Sequence, residues 1–366
     1  MISFKESIIW LVSAIFTSAV LSLVFIEDFK FFAIPLVYAL RLYVYTALGI
    51  VIASAVMTAL SRYKGDWKLN GNSVFRFLVC SFGFLWIIDG IMQLQPEMSF
   101  GFVSFVAGPA INAAPSFVVK LLSPVEAIWD HFPILLDALS GVAQLFIGFG
   151  LIVFSSRNRV RIFLALSSAW ALFLWVFGEA FGGIFTLGSS YLTGFPGSAL
   201  IYVAVSLFLL LFSDTGKLKE HIAIFMAAIM AISAVIQVIP AYGFWNAQNL
   251  FAIPSSVMIN QQPYIFSLWL HSLSLSFFYF HTEWNIFFAG SLALSAALWI
   301  FRPRIGAIFT ILFSLFVWFV GQDFGVLGGY GTDPNTALPV IIIAIAYIMK
   351  ERITMPSFAV GESGTI

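Results

Sequence analysis

Ten runs of roughly twenty mostly apolar residues succeed one another along the chain, and no aqueous core can absorb them. They fall near 7–26, 33–61, 74–94, 132–154, 160–182, 198–213, 221–239, 285–301, 305–327 and 337–350. In lipid every backbone N–H and C=O must be satisfied within its own segment, so such runs fold as helices. Composition agrees: 61% of residues are hydrophobic and only 9% charged, against about a quarter charged in soluble domains. The expected fold is therefore all-α, a polytopic membrane helical bundle of about ten spans. The first run is about 19 residues long and no A-x-A pattern follows it, so it reads as an uncleaved span rather than a signal peptide.

Charge sets the orientation. With the N-terminus inside, the inner segments carry Lys5, Arg62, Lys64, Lys68, Arg76, Arg157, Arg159, Arg161, Lys217, Lys219, Arg302, Arg304, Lys350 and Arg352. Only Lys30, Arg41 and Lys120 fall elsewhere, so the positive-inside rule places both ends in the cytoplasm of a cell-membrane protein. Two longer stretches, 97–130 and 241–284, are rich in Pro, Asn, Ser and aromatics. The piece 264–281 carries Ser267, His271, Ser272, Ser274 and Ser276, and is expected to be interfacial or re-entrant; an eleventh span there would put Arg302 and Arg304 outside.

The chain repeats itself. Gln93-Leu94-Gln95-Pro96 corresponds to Gln237-Val238-Ile239-Pro240, and Arg159 precedes Trp175 as Arg302 precedes Trp318. Each Trp opens a matching run, Trp175-Val-Phe-Gly178-Glu179-Ala-Phe181-Gly182-Gly183 against Trp318-Phe-Val-Gly321-Gln322-Asp323-Phe324-Gly325. Short loops follow, Thr193-Gly194-Phe195-Pro196 and Thr332-Asp333-Pro334. The expected organisation is an N-terminal helix pair (1–68), two four-helix units (69–213 and 214–350) and a cytoplasmic tail (351–366). Each unit has an even number of spans, so the repeat is parallel, related by an axis along the membrane normal.

A four-helix unit with a Pro-bearing first helix end, an outer lid, a Gly-rich second helix (Gly141, Gly148, Gly150) and a basic turn resembles the DoxX/DoxD-type membrane proteins. That family includes the small membrane subunit of thiosulfate:quinone oxidoreductase, and the resemblance covers roughly 74–350 as two tandem units. The Trp-x-x-Gly-Glu/Gln run is similar to one in bacterial membrane proteins of the same doubled layout. The resemblance implies the membrane subunit of a quinone-linked redox complex, a membrane quinone as cofactor, and a soluble redox partner on the outer face. It brings no catalytic signature that maps onto these residues.

Ionisable groups at membrane depth are costly and mark candidate sites. Trp86, Asp89 and Gln93 share one helix face at i, i+3 and i+7. Glu179 stands one turn after Trp175, with Gln322 and the adjacent Asp323 at the equivalent place, and Asp137 lies two turns before Gln144. All belong to the outer half. They read either as a ligand- and proton-handling pocket or as helix-to-helix hydrogen bonds, with Arg41 as the partner expected for Asp89 or Glu179. The glycines around 178–188 and 321–331 read as capped helix ends rather than a ligand cradle.

Other chemistries lack their residues. Equal numbers of basic and acidic side chains, 17 of each, give no nucleic-acid surface. Cys80 alone makes no disulfide or cysteine cage, and there is no nucleotide loop, H-E-x-x-H or nucleophile elbow. No His lies mid-span to hold a haem. His131, beside Asp130 and with Glu126, Met98 and His281 in reach, is a weak surface metal candidate. Besides the quinone-linked reading, two alternatives fit: a small-solute or ion transporter, and a structural or assembly protein without ligand.

Overall fold

The computed structural model describes residues 73–95, 98–155, 158–212, 214–258, 264–322, 324 and 331–349, with isolated positions between 44 and 56. The expected spans 7–26 and 33–61 lie almost wholly outside these residues, as does the 351–366 tail. Within them the fold is all-helical. The labelled helices are α1 Ser73–Gln93, α2 Ser116–His131, α3 Pro133–Val153, α4 Val160–Phe177, α5 Ser198–Leu211, α6 Thr215–Val238, α7 Ala247–Val257, α8 Tyr264–Tyr279, α9 His281–Phe301, α10 Pro303–Val320 and α11 Ala337–Ile348. Between α1 and α2 runs a broken helical stretch whose middle, Phe102–Ala107, is wound as a π-helix.

Six helices, α1, α3, α4, α6, α9 and α10, are long and apolar enough to cross a membrane. This is a multi-pass membrane protein by the length and composition of those helices. At 1.5 Å per residue the 21-residue α1 rises about 32 Å, matching a hydrocarbon core of about 30 Å. The 14-residue α5 and 12-residue α11 rise only about 21 and 18 Å. Their missing length is taken up by loops at one end of the bundle, and the site described below lies there. Helix α4 ends at Phe177, short of the 160–182 expected, because the backbone turns left-handed from Ala180 onward. Helix α10 likewise ends at Val320 rather than near 327. The doubtful piece 264–281 is the regular 16-residue helix α8.

Glycines bring α1 and α3 together. An added Cβ at Gly90 would lie 2.9 Å from the Gly141 carbonyl oxygen, and one at Gly148 would lie 2.6 Å from that of Gly83. Two small residues on each helix thus let the backbones nearly touch, as membrane helices do when hydrophobic burial drives no association. Helices α6 and α9, α4 and α5, α10 and α11, and α7 and α8 make further close pairs. One continuous apolar core joins them, with Phe82, Trp86, Tyr202, Phe288, Trp299 and Phe313 among its larger side chains. On the outside of α10, Ile305, Ile308, Leu312 and Leu315 form an exposed apolar stripe at helical spacing, the pattern of a lipid-facing surface.

Candidate functional site

The site begins where α4 ends. After Glu179 the chain runs through four left-handed residues, Ala180, Phe181, Gly182 and Gly183, with φ of 46°, 63°, 61° and 73°. Two of these carry side chains, and such conformations cost about 1–2 kcal/mol each. The turn is held from both sides. Trp175 Nε1 donates to the Pro196 carbonyl at 2.9 Å, and a Cβ on Gly182 would collide with that same carbonyl.

This geometry delivers the Glu179 carboxyl to the start of α5. Ala199 N–H donates to Oε1 at 3.1 Å and Ser198 Oγ donates to the same oxygen at 2.9 Å. A helix start leaves backbone N–H groups without partners and carries a partial positive charge, so a carboxylate delivered there serves as a cap. Gly197, at φ 94°, has no room for a side chain, because a Cβ would collide with Glu179 Oε2.

The same bonds recur around Gln322. Trp318 Nε1 donates to the Pro334 carbonyl at 2.8 Å, and Ala337 N–H donates to Gln322 Oε1 at 2.9 Å at the start of α11. The Gln322 amide then donates to the Tyr191 carbonyl at 2.8 Å. Further along, Gln93 Nε2 donates to Asp137 Oδ1 at 2.5 Å and Ser99 Oγ to Asp137 Oδ2 at 2.9 Å. In the matching position Gln237 Nε2 donates to Asn285 Oδ1 at 2.8 Å, and Asp137 and Asn285 are each the fifth residue of their helix.

Asp89 sits one turn before Gln93 on α1 and is 3% exposed. It lines a cavity of about 100 Å³ with Trp86, Gln93, Gln144, Tyr202, Glu179 and Asp333. Phe102 and Val106, from the π-wound stretch of the first lid, complete its wall. Among the described residues, Asp89 Oδ1, Gln144 Oε1, Tyr202 OH and Glu179 Oε2 have no hydrogen-bond partner. Asp89 and Tyr202 face each other across the cavity, and together with Gln144 and Glu179 they give this small space a polar, acidic lining that makes it the candidate site. A wider groove of about 340 Å³ adjoins it, lined by Gly182, Gly183, Thr186, Ser189, Thr193 and Asn335.

Glu179 and Asp333 both lie in loops beyond the ends of the helices. Burial pushes the Glu179 carboxyl well above the ordinary carboxylate range, and the nearby Asp333 charge pushes it further. Burial likewise raises Asp333, against the Asn335 N–H that donates to its Oδ1 at 2.6 Å. Carboxyl groups so placed give up their protons nearer neutral pH, and can exchange them with a bound molecule.

The expected candidates divide. Asp89, Gln93 and Glu179 meet at the cavity, whereas Asp137 is bonded to Gln93 and Ser99 behind it. Gln322 is bound to Tyr191 and the start of α11. Arg41 and Asp323 lie outside the described residues, so the pairing expected for Arg41 does too. His131 is exposed at the end of α2, and His281 faces the Phe278 carbonyl at 3.3 Å. Among the described residues no three His, Cys, Asp or Glu side chains gather as a metal would need. Sequence reasoning missed Tyr202, Ser198 and Asp333. Tyr202 lies one turn from Ser198, the only spacing that could have signalled it. No family model, curated protein or solved structure matches the chain.

Proposed function

We propose that the chain is a ten-span protein of the cell membrane with both ends inside, built as an N-terminal helix pair followed by two parallel four-helix units. In this reading the first unit carries an outward-facing pocket, and the protein is the membrane subunit of a quinone-linked redox complex. The doubled layout is supported by the paired bonds of Trp175 and Trp318, Glu179 and Gln322, and Gln93 and Gln237. The orientation is supported by charge: Arg76, Arg159, Lys217, Lys219, Arg302 and Arg304 all sit at the helix ends opposite the pocket.

One observation carries the functional reading. At matched positions the first unit has Asp89, Asp137 and Glu179 where the second has Ser233, Asn285 and Gln322. Asn285 and Gln322 accept the bonds that Asp137 and Glu179 accept, from Gln237 and from the Ala337 N–H, so the fold does not need an acid at those two positions. Their retention in one unit only points to proton chemistry there. Reduction of a quinone takes two electrons and two protons. Asp89 and Glu179 would supply the protons from the pocket, and a soluble partner on the outer face would supply the electrons. With Asp89→Asn and Glu179→Gln together, quinone reduction by native membranes is expected to fall on the order of a hundredfold. An unchanged rate refutes the role.

A transporter would need the polar path to continue toward the basic end. Instead Trp86 Nε1 donates to Ser167, which bonds Ser206, and Trp299 Nε1 donates to Thr310, which bonds Ser295. These groups satisfy one another inside the core, which favours a one-sided pocket. A purely structural role accounts for Gln93 with Asp137 and for Gln237 with Asn285. It does not account for the cavity that Asp89, Gln144 and Tyr202 line together with Glu179.

A further inference from the structure

Two hollows meet at the site, and among the described residues only Glu179, Ser198 and Asp333 line both. The outer groove is walled by glycines, hydroxyls and Asn335; the inner cavity by Trp86, Phe102, Leu174, Asp89, Gln144 and Tyr202. We infer that Glu179 and Asp333 form a proton port between the outer groove and Asp89, so that an acid from the second unit completes the site of the first. The inference rests on reading the inner cavity as a place of proton exchange, and it adds both the route and a residue that the sequence pattern did not single out.

The geometry suits a relay. Glu179 is anchored through Oε1, which takes Ser198 Oγ and the Ala199 N–H, and Asp333 through both oxygens, Oδ1 taking the Asn335 N–H and Oδ2 the Thr332 hydroxyl at 3.3 Å. Glu179 Oε2 has no partner among the described residues. Beyond the port, Tyr202 OH and Gln144 Oε1, each on a side chain 2% exposed, are unpartnered oxygens on the inner cavity. The charged and titratable groups facing the pair are therefore Asp89 from α1 and Tyr202 from α5. Glu126 of α2 lines a separate, smaller hollow behind Gly178. No Lys, Arg or His among the described residues lines either hollow.

In the step itself, a water molecule entering the inner cavity takes the proton as the O–H bond of a protonated Glu179 or Asp333 breaks, and gives up one of its own protons as an O–H bond forms on the Asp89 carboxylate. The port then takes a proton from hydronium in the groove. Charge and atoms balance, and no oxidant or reductant enters.

The test needs no quinone. Full-length protein in detergent is transferred to D₂O, and the infrared carboxyl band lost in Asp89→Asn is followed as its proton exchanges. Exchange at Asp89 is expected to slow on the order of a hundredfold in the Glu179→Gln, Asp333→Asn double variant. Glu179→Gln keeps the anchoring oxygen, Asp333→Asn keeps the acceptor of the Asn335 N–H and gives up that of the Thr332 hydroxyl, and Gln322 already fills the Glu179 position in the other half. Exchange at the wild-type rate overturns the proposal, as does the absence of any carboxyl band assignable to Asp89. If the double variant does not remain monodisperse, Ser189→Trp fills the outer groove without replacing either acid. It too is expected to slow the exchange, and an unaltered rate overturns the port. Slowed exchange in protein whose quinone reduction ignores these acids would sink the quinone reading and leave the port standing.

Discussion

Replacing Glu179 separates what its hydrogen bonds do from what its charge does. Glu179→Ala removes the acceptor of Ala199 N–H and of Ser198 Oγ, at 3.1 and 2.9 Å, and both residues are 5% exposed. A buried donor left without a partner costs about 1–3 kcal/mol, so the variant is expected to lose about 2–3 kcal/mol. Glu179→Gln keeps the accepting oxygen and is expected to stay within about 1 kcal/mol of wild type. Gln322→Ala strips the Ala337 N–H and the Tyr191 carbonyl of their partner, at 2.9 and 2.8 Å, and is expected to cost about as much as Glu179→Ala, again about 2–3 kcal/mol. Equilibrium unfolding in mixed micelles reads all three. If Glu179→Gln is as damaging as Glu179→Ala, the carboxylate charge holds the turn, and the structural equivalence of Glu179 and Gln322 is wrong.

Further outcomes follow from the same geometry. Because burial raises the carboxyls of Glu179 and Asp333, their contribution to stability is fully present below the ordinary carboxylate range and is lost as pH rises through the raised values. Unfolding followed against pH should therefore show stability falling toward the alkaline side, with a flatter profile in Glu179→Gln and Asp333→Asn; a profile that rises with pH contradicts the assignment. Gly197→Ala should cost several-fold more stability than Gly188→Ala in the same assay. Both sit at positive φ, 94° and 85°, but only Gly197 meets another group, the Glu179 carboxyl. Ser167→Ala should destabilise by about 1–3 kcal/mol, since it leaves the Trp86 indole N–H, bonded at 2.8 Å, without its acceptor in the core. Orientation is open to a simple check: with Cys80 replaced by Ser, a Cys introduced at Thr186 should react with a membrane-impermeant thiol reagent added to intact cells. Labelling only after lysis would reverse the topology.

The helices were legible because lipid leaves a helix no substitute for a long apolar run, and α1, α3 and α9 lie within a few residues of the expected spans. Ends set by a tertiary turn were not. Hydropathy carried 160–182 into the apolar Ala180 and Phe181, while the helix ends at Phe177 and the backbone turns left-handed at those two residues. The two Trp-x-x-Gly-Glu/Gln runs make like bonds, each Trp to a proline carbonyl and Glu179 and Gln322 to the start of the next helix, 15 to 21 residues further along the chain. Asp333 was invisible as a site residue because it reaches Glu179 only through tertiary contact across more than a hundred residues of chain. Tyr202 looked like one more aromatic in an apolar helix. Its hydroxyl becomes conspicuous only when the cavity beside it is seen.

The reading as a whole turns on whether the acidic pocket holds a quinone. Wild-type protein and the Asp89→Asn, Glu179→Gln double variant, each purified from native membranes in mild detergent, would be extracted and their bound lipids and proteins identified by mass spectrometry. The expected result is a quinone at near-stoichiometric amount, with a soluble redox partner, in the wild type, and its loss from the double variant. Bulk lipid alone in both would contradict the quinone-linked role.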